Sequence, residues 1–168
     1  IIVSSEEGIG WAMYSLDLVH HANYALETRP DKSTLIGIPT GRGFGLPVPL
    51  LNLVFHDCVV TPWFITQRTN EMPDRQSGLL HALLNAGVPY VGIDATDSEI
   101  AEAEMVCALN RRLCHAQMVR HELLDGGTDR QRTLFSDGTQ VTADFTNGTY
   151  EILPPLSQED FDTQNNTL

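Results

Sequence analysis

Carboxylates and a histidine stand where short apolar runs stop. Residues 1–5 lead directly into Glu6 and Glu7, the run 50–55 ends in His56 and Asp57, and the run 89–93 ends in Asp94. Acids released at the ends of apolar segments suit cleavage of a glycosidic bond. That reaction needs two carboxyl groups flanking the bond, one as general acid and the other as nucleophile or base. Each acid also has a plainer use, because a strand-end carboxylate often caps the helix that follows, and this holds for Glu6, Glu7 and Asp94. Trp63, just beyond His56 and Asp57, offers a face that stacks on a pyranose ring, or else it plugs its loop. His20, His21, His81, His115 and His121 fall on expected helices without partners at ligand spacing, so packing or surface roles suit them better than a metal. No metal site or cofactor is expected. There is no Gly-x-Ser-x-Gly elbow, P-loop or dinucleotide fingerprint, and the glycines of residues 41–45 lie among prolines with no helix after them.

The elements that must position these groups follow from periodicity. Residues 1–5 read as a buried parallel strand. Trp11, Tyr14, Leu18, Ala22 and Ala25, spaced 3, 4, 4 and 3 apart, read as one stripe of a helix that ends before Arg29-Pro30. Residues 35–38 suit a short strand, and 39–49 an irregular loop. The nearly all-apolar run 50–55 reads as a strand covered on both faces. Residues 77–86 read as a helix stopped by Gly87, and 89–93 as a strand ending at Asp94. Thr96 and Glu99 make a capping-box pattern opening a long helix, whose apolar face takes in Ile100, Ala103, Cys107, Cys114 and Met118. After Gly126-Gly127 the period changes to alternation, giving strands at 133–135, 140–145 and 150–153, with tight turns at Asp137-Gly138 and Asn147-Gly148. The fold class expected is therefore α/β: later strands and helices of a (β/α)8 barrel over 1–127, a short antiparallel β segment over 128–153, and a polar acidic tail or linker over 154–168.

Composition bounds the partners. The chain has 168 residues, 42% of them apolar, and a net charge of −12 from 22 acidic and 10 basic side chains, which disfavours nucleic acid and anionic membrane surfaces. No apolar run reaches the roughly 20 residues that cross a bilayer. Cys58, Cys107 and Cys114 lack metal-type spacing. On one helix Cys107 and Cys114 would stand about 10 Å apart, so any bridge would have to involve Cys58 or another chain. Two sequons, at Asn147 and Asn165, would accept glycans in a eukaryotic secretory pathway, and they point to a secreted or extracellular protein.

The motifs Ser5-Glu6-Glu7-Gly8 with Trp11-Ala12, Pro49-Leu50 leading into Leu53-Val54-Phe55-His56-Asp57, and Phe135-Ser136-Asp137-Gly138-Thr139 with Val141-Thr142 and Phe145 resemble the latter half of the catalytic region of glycoside hydrolases similar to families 101 and 129. The resemblance runs from residue 1 to about residue 153. It implies a retaining enzyme acting on α-linked N-acetylgalactosamine, as carried by mucin-type glycoproteins, with a barrel followed by β domains. It also implies Glu6 as general acid/base, although the doubled Glu6-Glu7 leaves the register open to Glu7, and it implies that His56 and Asp57 line the sugar site. The family's nucleophile is an aspartate on an earlier strand, so the expectation is an upstream polypeptide that completes the barrel and supplies it. The competing reading is a relative that keeps the fold as a structural or carbohydrate-binding glycoprotein.

Overall fold

The computed structural model describes residues 1–5, 12–20, 49–65 and 75–162. Four short strands come first in the chain: β1 (Ser4–Ser5), β2 (Leu18–Val19), β3 (Pro62–Phe64) and β4 (Val88–Tyr90). β1 runs parallel to β2 with Ser4 opposite Leu18, and β3 runs parallel to β4 with Trp63 opposite Pro89. A parallel bridge from Leu18 to Val60, two residues before β3, joins the two pairs. The four strands thus lie side by side in sequence order and point the same way.

Helices pack on one face of these strands. α1 (Leu50–Phe55) precedes β3, α2 (Arg75–Leu84) joins β3 to β4, and α3 (Asp97–Leu113) follows β4. The run 50–55, expected as a strand, is a helix: an apolar run this short fits either element, and here Pro49 at the N-cap opens the turn. Its polar residue is the most buried one. Asn52 donates to the side-chain oxygen of Asn85 over 2.5 Å, and Asn85 donates in turn to the His81 carbonyl over 2.9 Å, which locks α1 against the end of α2. Leu51 and Phe55 pack on Met13, Val19 and Val59, while Leu50 and Val54 face outward.

The helix expected around Tyr14 and Leu18 is replaced over the described residues by a single 3₁₀ turn, Met13–Ser15, and by β2. Tyr14 is exposed, so the 3-4 spacing there marks no buried stripe. Trp11, Ala22, Ala25 and the loop 39–48 lie outside the described residues. The expected strand 89–93 is the shorter β4, one residue earlier in its start.

α3 opens as the sequence indicates. The Thr96 amide donates to the Glu99 carboxylate over 2.8 Å and the Glu99 amide donates to the Thr96 hydroxyl over 3.4 Å, with Asp97 in the first turn and Arg111 and Arg112 in the last. Its buried face is Ala103, Val106, Leu109 and Leu113, rotated from the face expected, and Ile100 is largely exposed. The helix stops at Leu113, and Met118 opens a strand instead.

That strand, β5 (Met118–Leu123), begins a four-stranded antiparallel meander with β6 (Arg130–Phe135), β7 (Gln140–Asp144) and β8 (Thr149–Leu153). Gly126-Gly127 lies in the β5–β6 connection, where Asp125 and Gly126 both have positive φ. Gly138 and Gly148 have positive φ at the two tight turns the dipeptides mark. Met118, Phe135, Val141 and Ala143 share one buried core with Trp63, Leu80, Leu83, Val106 and Leu109, so helices α2 and α3 are the common layer between strands and meander. A short helix, α4 (Gln158–Phe161), folds back onto α3, held by Arg112. Its guanidinium donates to the carbonyls of Pro154 and Pro155 over 2.9 and 3.0 Å and pairs with the Asp160 carboxylate.

Candidate functional site

Because β1 to β4 are parallel, their ends define two rims. At the start of the strands stand Asp17 before β2, Val59, Val60 and Thr61 before β3, and Ala86 before β4. At the finish stand Ser5, His20 and Tyr90.

The two faces of the strands are also distinct. Val19 packs with Leu51 and Phe55 of α1, and the Trp63 indole stacks on His81 of α2 at 5.3 Å between ring centroids, so these side chains mark the helix face. Side chains alternate along a strand, which puts Leu18 and the next position after Val19, His20, on the opposite face. There His20 reaches across the end of β3. Its Nδ1 meets the Tyr90 hydroxyl, and the two rings lie nearly parallel, 11° apart with centroids 5.8 Å apart. The His20 amide donates to the Ser5 carbonyl over 2.8 Å, carrying the β1–β2 ladder one residue further. Ser5 is the residue before Glu6. Both His20 and Tyr90 are half-buried, open enough to meet a ligand.

The expected site residues divide between the rims. Glu6, Glu7 and Asn165 lie outside the described residues. Asp94 is exposed in the turn between β4 and α3, four residues past Tyr90. His56 and Asp57, expected beside the other acids, stand at the opposite rim: the segment before them is a helix, and its end leads into the start of β3 rather than out of a strand's finish. His56 is buried there, donating from Nδ1 to the Ala116 carbonyl over 2.7 Å and packing on Phe135, ring to ring at 5.0 Å. Burial pushes its pKa down, against the hydrogen bonds to the Ala116 and Asn85 backbones. With Asp57 it lines a cavity of about 340 Å³ that also takes in Asp17, Cys58, Asn110 and His115. The Cys58 thiol donates to Asp57 over 3.4 Å, a hydrogen bond that raises the thiol pKa. All three cysteines are free thiols. Trp63 is sealed in the core at 1% exposure, so it fills its surroundings and is no sugar platform.

The sequence alone gives His20 a packing or surface role on a helix and gives Tyr90 no role in a site. Assigning residues 11–25 to one helix hid β2, and with it the position of His20 at a strand's end. Tyr90 was visible only as a strand residue. Among the described residues no group of three or more His, Cys, Asp and Glu side chains is placed to hold a metal ion, and no helix is long and apolar enough to cross a membrane.

No family model matches the chain, and no curated protein matches it significantly. Solved structures do. The α-N-acetylgalactosaminidase NagBb from Bifidobacterium bifidum, as a quadruple mutant, superposes with a TM-score of 0.71 at 40% identity over 90% of this chain and 23% of its own. The complex of the same enzyme with GalNAc gives 0.69 at 37% identity over 90% and 24%, and the ligand-free form 0.68 at 38% over 91% and 23%. The chain spans about a quarter of the length of the enzyme it matches. At this identity the likeness is one of sequence as well as fold, and the resemblance read from the motifs holds: nine tenths of this chain is similar to a portion of a glycoside hydrolase of the α-N-acetylgalactosaminidase type.

Proposed function

We propose that the chain forms the later part of the (β/α) barrel of a secreted, retaining glycoside hydrolase that removes α-linked N-acetylgalactosamine from glycans, with Glu6 as general acid/base. The nucleophilic aspartate comes from polypeptide upstream of Ile1, which also closes the barrel. The observation that carries this reading is the 37% identity, over 90% of the chain, to a glycosidase solved with GalNAc. The sequential, parallel order of β1 to β4 supports the barrel: successive parallel neighbours are the arrangement of a barrel arc.

Active sites of such barrels gather at the finishing ends of the strands. On that rim β1 ends at Ser5, the residue before Glu6 in sequence, and His20, Tyr90 and Asp94 follow or end β2 and β4. His56 and Asp57 are on the other rim and are left out of the proposed site. In a retaining mechanism the acid protonates the departing glycosidic oxygen while the nucleophile attacks the anomeric carbon. The same residue then deprotonates the water that releases the sugar, across carboxyls about 5 Å apart.

The test is turnover by the protein with its upstream segment, using 4-nitrophenyl and glycopeptide α-N-acetylgalactosaminides. The nearly isosteric Glu6→Gln should lower kcat on the glycopeptide at least about a hundredfold, and less on the nitrophenyl substrate, whose leaving group hardly needs a proton. Unchanged glycopeptide turnover in Glu6→Gln, with loss in Glu7→Gln, would move the assignment to Glu7.

A further inference from the structure

We infer that His20 and Tyr90 act as one polar pair that contacts the sugar, His20 orienting the Tyr90 hydroxyl. This rests on the proposed glycosidase reading and adds to it two residues that the motifs do not contain. Their placement carries the argument. They belong to strands two apart, β2 and β4, yet meet side chain to side chain at the finishing rim, on the face turned away from α1 and α2.

The environment separates them from the molecule's other stacked histidine. His81 lies wholly inside the core between Trp63 and Phe145, with ring centroids 5.3 and 4.6 Å away, and burial holds its pKa at about 3. That is the setting of a packing residue. The His20–Tyr90 pair has the same stacked form but is only half-buried and stands where the chain passes to Glu6, its backbone tied to Ser5 over 2.8 Å.

The chemistry of the pair is that of a donor and an acceptor held at fixed spacing. A phenol hydroxyl rotates about its C–O bond. When it donates to Nδ1 of a neutral imidazole, its hydrogen is committed and the oxygen presents lone pairs, while the imidazole hydrogen is fixed on Nε2. The pair then offers an acceptor at Oη and a donor at Nε2. A pyranoside with an acetamido group next to a hydroxyl carries the complementary set, and polar groups fixed in advance lose little entropy on binding.

Calorimetric titration of methyl α-N-acetylgalactosaminide into the wild-type protein, Tyr90→Phe and His20→Asn tests this, with thermal melts of each run in parallel. Asn leaves a polar atom near the place of Nδ1, so Tyr90 keeps a partner while the Nε2 donor is lost. Both variants should bind about tenfold more weakly, the scale of one hydrogen bond, with melting temperatures close to wild type. If the wild-type protein binds and both variants bind equally well, or if affinity survives while the melting temperature falls, the pair is a brace between β2 and β4 and the inference is overturned. If Tyr90→Phe fails to fold, His20→Asn decides alone by the same readings. Absence of binding by the wild-type protein would overturn the glycosidase reading itself, and the inference with it.

Discussion

The four parallel strands and the four-stranded meander differ in composition and are held in different ways: the parallel strands carry no charged residue, whereas the meander strands alternate apolar with polar and charged ones. Each meander strand has five or six residues paired to its neighbour in sequence, across turns whose glycines take positive φ. Each parallel strand has two or three residues, and its position depends on what packs on its helix face: Val19 on α1, Trp63 on α2. The meander is specified locally. The parallel layer is specified by contacts distant in sequence, and it is the layer whose rim carries His20 and Tyr90.

The sharpest way to break this contrast is a methyl group at a glycine in each region. A Cβ at Gly87 would lie 2.6 Å from Cδ1 of the buried Trp63 ring and would also run into the Thr61 carbonyl, neither of which can swing aside. Gly87→Ala should therefore cost about 3 kcal/mol, the upper range for overpacking, by displacing β4 from β3. At Gly138 nothing lies within 4 Å, so Gly138→Ala meets only its positive φ of 92° and should cost about 1 kcal/mol. Urea melts of the two variants measure both. Equal losses would mean that the parallel layer is not the more tightly specified region.

The clasp between α3 and α4 should rank next. Asp160 is held by Arg112, with 14% and 15% of the two side chains exposed, and the hydrogen bond from Arg112 keeps the Asp160 carboxyl at about 2. Asp160→Asn should cost about 2 kcal/mol, the value of hydrogen bonds to a charged group. Its folded pKa lies below the ordinary 3.8, so the contribution is complete above that value and is lost as pH falls toward 2. A wild-type minus variant stability difference that does not shrink over this interval would contradict the pairing.

Histidine burial is read as a slope in pH. His81 is driven from the ordinary 6.5 to about 3, by burial first and by His121 second. Burial also lowers His121 and His56. A folded pKa below the unfolded one means that stability is complete above about 6.5. It then declines as the unfolded chain takes up protons that the folded chain refuses. His81 alone should contribute a slope of about 1.4 kcal/mol per pH unit below 6.5, and His81→Phe should remove that part of the slope in urea melts from pH 7 to pH 4.

What the sequence made legible tracks the same division. The Thr96–Glu99 box, the Asp137-Gly138 and Asn147-Gly148 turns and the last three strands were readable because each is determined within a few residues. The run 50–55 fits a strand or a short helix equally, because its five apolar residues around Asn52 are too few to show a period, and the contact of Asn52 with Asn85, 33 residues away, helps decide between them. Residues 118–123 were absorbed into the preceding helix because Met118 continues its spacing, although its partner is Phe135 on β6. The same errors moved the site. With 50–55 a strand, His56 and Asp57 fell on the catalytic rim, and with β2 unseen, His20 fell on a helix surface. The acids were legible as chemistry, but the end of the sheet on which each would stand was not.

The central claim is that sugar binds at the finishing ends of the parallel strands and not in the cavity at their start. Amide chemical-shift mapping of the isotope-labelled protein during titration with N-acetylgalactosamine tests it most directly. The account predicts that the shifted amides among the described residues cluster at Ser5, His20, Tyr90 and residues 91–94. Shifts that cluster instead at Asp17, Asp57, Cys58 and His115, around the 340 Å³ cavity, would contradict it.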